Sequence, residues 1–140
     1  MVTALGILKA AHDDYEHGYL FEVRTLITAE VFDDFREQAE HLLANGYAGP
    51  AAVVAGSVLE DGLRKVCQRR NVPLDAKPKV DRMNADLAKD GVYNALTQHR
   101  ITFLAAIRNK AAHGQWDQFT ERDVADLVSG VRSLMEQHLA

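Results

Sequence analysis

The stretch Pro50-Ala-Ala-Val-Val-Ala-Gly-Ser-Val-Leu-Glu-Asp-Gly-Leu-Arg-Lys-Val-Cys-Gln-Arg-Arg70 decides the fold. Val54, Val58, Leu59, Leu63, Val66 and Cys67 recur at spacings of three and four, which lays one apolar stripe along a helix. Beside that stripe Ala51, Ala52, Ala55, Gly56 and Gly62 are small, and small residues at helical spacing let a neighbouring helix approach closely. A helix from about Pro50 to Arg70 is therefore expected at the centre of a bundle. Pro50 falls near a first turn, where a missing N–H costs nothing, and the basic end Arg64, Lys65, Arg69 and Arg70 suits the negative end of a helix dipole.

Working outward, residues 4–45 read as helical, with Leu20, Val23, Leu26, Ile27, Val31, Phe35, Ala39, Leu42 and Leu43 on one face, a break at Gly18 and a stop at Asn45-Gly46. On the other side, Asn71 to Pro78 interrupts the chain and residues 79–90 form a short polar helix. Apolar periodicity returns from Tyr93 to His113 through Leu96, Ile101, Leu104, Ala105, Ile107, Ala111 and Ala112, with Gly114 placed to end it. Thr120-Glu-Arg-Asp123 is a capping signal, and Val124, Leu127, Val128, Val131, Leu134, Met135 and Leu139 give the last stripe. The expected fold is all-α, an antiparallel bundle of four to five helices in one domain over 1–140, its core at about 20–138.

The chain has 140 residues, 47% apolar and 26% charged, with 3 Pro, which excludes disorder as the main state. Its one cysteine, Cys67, permits no intrachain disulfide, and no Cys/His set has zinc spacing, so a reducing, cytoplasmic setting is expected. The short apolar start lacks a basic leader and no run approaches the ~20 apolar residues of a spanning helix, so neither a signal peptide nor a membrane span is expected.

The formal net charge of −4 argues against a protein that coats nucleic acid indiscriminately, yet the charge is segregated. Residues 1–61 carry 3 Lys/Arg against 11 Asp/Glu, residues 62–113 carry 11 against 4, and residues 114–140 carry 2 against 5. A basic middle of this kind is either a localised polyanion site or a set of solvated faces pairing with the acidic first segment.

The residues able to carry chemistry are in Arg108-Asn-Lys-Ala-Ala-His113-Gly114. At about 100° per residue, Asn109 and His113 share a helix face, and the long Arg108 side chain can reach round to it, with Lys110 adding positive charge. Imidazole moves protons near neutrality and guanidinium matches the paired oxygens of a phosphate. Together they suffice for attack of a ribose 2′-OH on its own phosphodiester, a reaction in which RNA supplies the nucleophile and DNA cannot.

Arg108 to His113 resembles the Arg-x(4–6)-His signature of the HEPN superfamily, in the form where a polar residue, here Asn109, follows the Arg. The segment Ala55-Gly-Ser-Val-Leu-Glu60-Asp-Gly-Leu-Arg-Lys65 is similar to the Glu-bearing second helix of many such domains, and the likeness spans roughly residues 20–138. The resemblance implies a HEPN-like bundle that dimerises so that two motifs face one composite cleft, and a metal-independent endoribonuclease needing no cofactor, often a toxin or effector in bacterial defence with an antitoxin or other regulatory partner. Arg108 would stabilise the scissile phosphate, His113 would be the acid/base group, Asn109 would orient one of them or the RNA, and Glu60 would orient Arg108. Lys110, Arg64 and Lys65 are the accompanying substrate-binding candidates. In the branch silenced by a partner nucleotidyltransferase a Tyr lies two residues beyond the His; Gln115 stands there here, which argues against that control.

Other readings stay open. His113, Arg108 and Lys110 also suit a helix C-terminus as plain cations, and Glu60 a paired carboxylate at the core edge. A HEPN-like adaptor that holds a nucleotide, RNA or an acidic protein without cutting is the alternative function. His12/Glu16 and Asp13/His17 have i, i+4 spacing, and Glu37-Gln-Ala-Glu40-His41 puts its His at the wrong offset, so solvated faces rather than a metal site are expected. His41, His99 and His138 read as surface or capping groups. Trp116 and Phe119 read as anchors for the last helix, with base stacking as the alternative.

Overall fold

The computed structural model describes residues 34–139. Contacts divide the chain into the compact units Met1–Asp34 and Phe35–Ala140, and the second is described here. Expectations for residues 1–33, the Gly18 break and the His12/Glu16 and Asp13/His17 pairs among them, lie outside the described residues.

The described residues are all-helical. Helix α1 covers residues 35–44 of this unit. It is followed by α2 (Ala48–Arg69), α3 (Val80–Lys89), α4 (Ala95–Ala112), a 3-10 turn (Trp116–Gln118) and α5 (Glu121–His138). Boundaries agree with the periodicity to within two residues for α2, α3 and α4, because the chain carries strong stop chemistry. Four helices end the same way, with a left-handed residue just past the helix: Gly46, Asn71, Gly91 and Gly114. In each, the following N–H reaches back to a carbonyl five residues earlier, as Gln115 N–H does to Lys110 C=O at 2.9 Å. Alpha5 starts at a full capping box, in which the Thr120 hydroxyl accepts from Asp123 N–H and the Asp123 carboxylate accepts from Thr120 N–H.

Helix α2 is the centre, packed against α3, α4 and α5. Leu59, Leu63 and Val66 are fully buried, and Ile101, Leu104 and Ile107 on α4 and Val124, Leu127, Val131 and Leu134 on α5, the two helices that α2 packs against most, are buried too. Small residues set the approach. A Cβ on Gly62 would lie 3.1 Å from Met135 Sδ, and one on Gly130 would run into the Leu104 side chain. Gly62 faces Met135 and, further along both helices, Arg69 donates to the carbonyl of His138, so α2 and α5 run the same way. Alpha4 runs against α2: its later residue Arg108 lies over Gly56, and Trp116, beyond its end, lies over Gly49 at the start of α2. An ion pair of 2.6 Å from Arg132 to Glu40 joins α5 to α1.

Two expectations are revised. Helix α3 is amphipathic rather than polar, with Val80, Met83, Asn84 and Leu87 buried. Asn84 is the one polar residue inside the core of the described residues. Its amide donates to Gln98 C=O and Thr102 Oγ1, and its carbonyl accepts from Tyr93 OH at 2.6 Å, which locks α3 onto α4. Burial, followed by the nearby Cys67, pushes the Tyr93 phenol well above its usual range, so it stays a donor. Ala112, expected in the α4 core stripe, is exposed at the end of the helix, and Leu96 does not belong to that stripe either. Leu96 is exposed, as is Phe103 one heptad later, because both lie on the outer side of the helix.

Candidate active site where α2 crosses α4

Arg108 sits near the end of α4, where the helix passes over α2. The side chain lies flat because Gly56 offers no side chain: a Cβ there would be 2.6 Å from Arg108 Cγ and 3.1 Å from its Cβ. One turn further along α2 is Glu60, on the same face as Gly56. Arg108 Nη2 donates to Glu60 Oε2 at 2.6 Å, and Nη1 donates to Asn109 Oδ1 at 3.0 Å. Both members of the Arg108–Glu60 pair are about seven-tenths buried, at 29% and 28% side-chain exposure. The guanidinium is thus oriented by two acceptors, and its remaining N–H groups are left for an incoming anion.

Glu60 is shared. Its second oxygen, Oε1, lies 3.9 Å from Arg64, and Arg64 donates to Asp61 at 2.7 Å. The cluster alternates in sign, Arg108, Glu60, Arg64, Asp61, so its own charges balance. On its open side a groove of about 510 Å³ is lined by Glu60, Arg64 and the connection Leu74, Asp75, Ala76, Lys77 and Pro78.

His113 is the last residue before the left-handed Gly114, and its N–H still closes onto Asn109 C=O at 3.1 Å. Its backbone keeps near-helical angles (φ −91, ψ 8), which leaves the ring one turn beyond Asn109. The ring is exposed and has no hydrogen-bond partner among the described residues. Behind it Trp116 closes the connection: its indole N–H donates to Ala111 C=O at 3.1 Å, and its ring rests against Gly49, where a Cβ would collide with it. Trp116 is therefore an anchor, as expected, although 48% of it remains exposed.

The structure brings together Arg108, Asn109, Glu60 and Arg64. His113 is close in sequence register but is not hydrogen-bonded to them. Lys110 is half-buried on α4 in no ion pair among the described residues, and Lys65, one residue round α2 from Arg64, does not line the groove. Sequence reasoning missed Asp61 and the groove loop 74–78. It recorded Gly56 as small without linking it to Arg108, a link that requires knowing which residue of α4 crosses there. Among the described residues no three His, Cys, Asp or Glu gather as a metal would require, and no helix is long and apolar enough to cross a membrane. Cys67 is a buried core residue, and burial, then the charges of Asp86 and Asp90, raise its thiol above the usual value. Compared with protein-family models, curated proteins and solved structures, the chain matches none.

Proposed function

We propose that this domain is a metal-independent endoribonuclease. The observation that carries the reading is the Arg108 guanidinium, held by Glu60 and Asn109 five residues before the exposed imidazole of His113, which has no hydrogen-bond partner among the described residues. In the reaction the ribose 2′-oxygen forms a bond to phosphorus and the 5′-oxygen of the next nucleotide leaves. The products are a 2′,3′-cyclic phosphate and a 5′-hydroxyl. His113 carries the proton between these oxygens and Arg108 stabilises the charge that builds on the phosphoryl oxygens. No cofactor enters the balance. The HEPN resemblance implies a second copy of the chain that completes a composite site, and a toxin or defence effector under an antitoxin or other partner; the single cysteine makes a reducing, cytoplasmic setting the expectation.

The test is cleavage of single-stranded RNA in EDTA, with cyclic-phosphate ends, abolished in folded Arg108→Ala and His113→Ala variants. Cleavage that survives His113→Ala would overturn the reading.

One observation favours an adaptor that binds without cutting: Glu60 already neutralises Arg108 at 2.6 Å. In that case RNA or an acidic partner binds, no product forms, and affinity depends on Arg64, Lys65, Arg69 and Arg70 as a group.

A further inference from the structure

The groove beside Glu60 has a composition that the candidate active site does not explain. Its lining combines the apolar Leu74, Ala76 and Pro78 with two cations and two carboxylates, Arg64, Lys77, Glu60 and Asp75. Arg64 and Glu60 are engaged with Asp61 and Arg108. Lys77 and Asp75 are exposed, and neither is in an ion pair among the described residues. An ammonium and a carboxylate that are not paired with each other, in a groove with apolar lining, suit a ligand that offers an anion, hydroxyl or amino donors, and a flat apolar face. A nucleotide has all three. The volume of about 510 Å³ lies within the usual range for small-ligand pockets, roughly 300–1,000 Å³. The groove is open to solvent, as it must be if a strand is to continue past it.

We infer that this groove is a mononucleotide subsite that holds the RNA residue next to the scissile phosphate. Lys77 and Arg64 take its phosphate, Asp75 accepts from its ribose hydroxyls or base amino group, and Leu74 and Pro78 support the base face. Glu60 is the shared residue: one oxygen orients Arg108 and the other lies 3.9 Å from Arg64, so the groove and the guanidinium meet at one carboxylate. The connection 71–79 then carries specificity as well as linking α2 to α3. This assignment rests on the ribonuclease reading for the word scissile, and on the groove alone for nucleotide binding.

The experiment is calorimetric titration of the full chain with adenosine 3′,5′-bisphosphate, which bears a phosphate on each side of the ribose, alongside RNA cleavage kinetics of the same variants. Lys77→Ala should weaken binding about tenfold, the equivalent of one lost charge-assisted contact. Ala76→Trp, which fills the groove, should abolish it, and Lys89→Ala at the far end of α3 should change nothing. Circular dichroism checks that these exposed-site variants fold. Binding unaffected by Lys77→Ala and Ala76→Trp overturns the subsite, as does equal weakening by Lys77→Ala and Lys89→Ala, which is diffuse charge. If no RNA is cut but the bisphosphate binds with this pattern, the nuclease reading fails and the subsite stands. If RNA is cut in a His113-dependent way with KM unmoved in both groove variants, the reverse holds.

Discussion

Gly56 and Arg108 occupy the space of one residue: the Cβ that Gly56 lacks would stand 2.6 Å from Arg108 Cγ. The missing methyl lets the arginine stem lie on the surface of α2 and deliver its guanidinium to Glu60 one turn on. A helix interior ordinarily disfavours glycine by about 1 kcal/mol relative to alanine, so the residue has a local cost that this contact offsets.

Gly56→Ala is expected to be destabilising in spite of that better propensity. The near end of the Arg108 side chain and its backbone cannot swing clear as a side-chain tip would, and overpacking of this kind costs roughly 1–3 kcal/mol. Urea unfolding should show a net loss on the order of 1 kcal/mol, with Gly56→Val worse. RNA cleavage should fall more steeply than stability, since Arg108 is displaced from Glu60 and Asn109.

Glu60 has two separable effects, orientation and charge. Glu60→Gln keeps an acceptor for Arg108 but removes the negative charge, so RNA should bind a few-fold more tightly while kcat falls. Glu60→Ala also loses orientation, and a misplacement of about 1 Å in a catalytic group can cost on the order of 10²-fold in rate. Equal kcat for the two variants would show that Glu60 does not position Arg108.

Trp116 is the chain's one tryptophan, so its fluorescence reports directly on the connection behind His113. Gly49→Ala places a methyl in the indole. The emission should shift to the red as the ring is displaced into water, with a stability loss of about 1–3 kcal/mol and reduced cleavage because His113 is three residues away. Unchanged emission would mean that the indole does not rest on Gly49.

His138 gives a pH dependence of known sign. Burial, followed by the charge of Arg70, lowers its pKa below the ordinary value of 6.5, and its Nδ1 is buried with no hydrogen-bond partner among the described residues. Below pH 6.5 the unfolded chain binds the proton more readily than the folded one. Stability is therefore fully present above pH 6.5 and declines as the pH falls through the folded pKa. Chemical denaturation between pH 8 and pH 5 should show that decline, and His138→Gln should flatten it.

How much of this was legible in advance differs by element. The stripe of α2, the stops at Asn45-Gly46 and His113-Gly114, and the Thr120 capping box are local chemistry, each decided within a few residues of chain. Asn84 was not legible: one polar residue in a short helix looks solvated until Tyr93 and Thr102, 9 and 18 residues away, are seen to satisfy it. Leu96 misled for the complementary reason, since an apolar residue at core spacing in a first turn is left exposed when the neighbouring helix packs on the other side of that turn.

The candidate site divides in the same way. Arg108, Asn109 and His113 are neighbours along one helix, and periodicity alone places them within reach of one another. The linear chain thus determined an all-helical unit, a small-residue central helix and a cation-rich helix end. It could not determine that Arg108 meets Glu60 across 48 residues, that Trp116 lies on Gly49, or that residues 74–78 face Arg64. Those depend on where two helices cross, and a crossing point is settled by which side chains can be absent, a property of the packed pair that neither helix carries by itself.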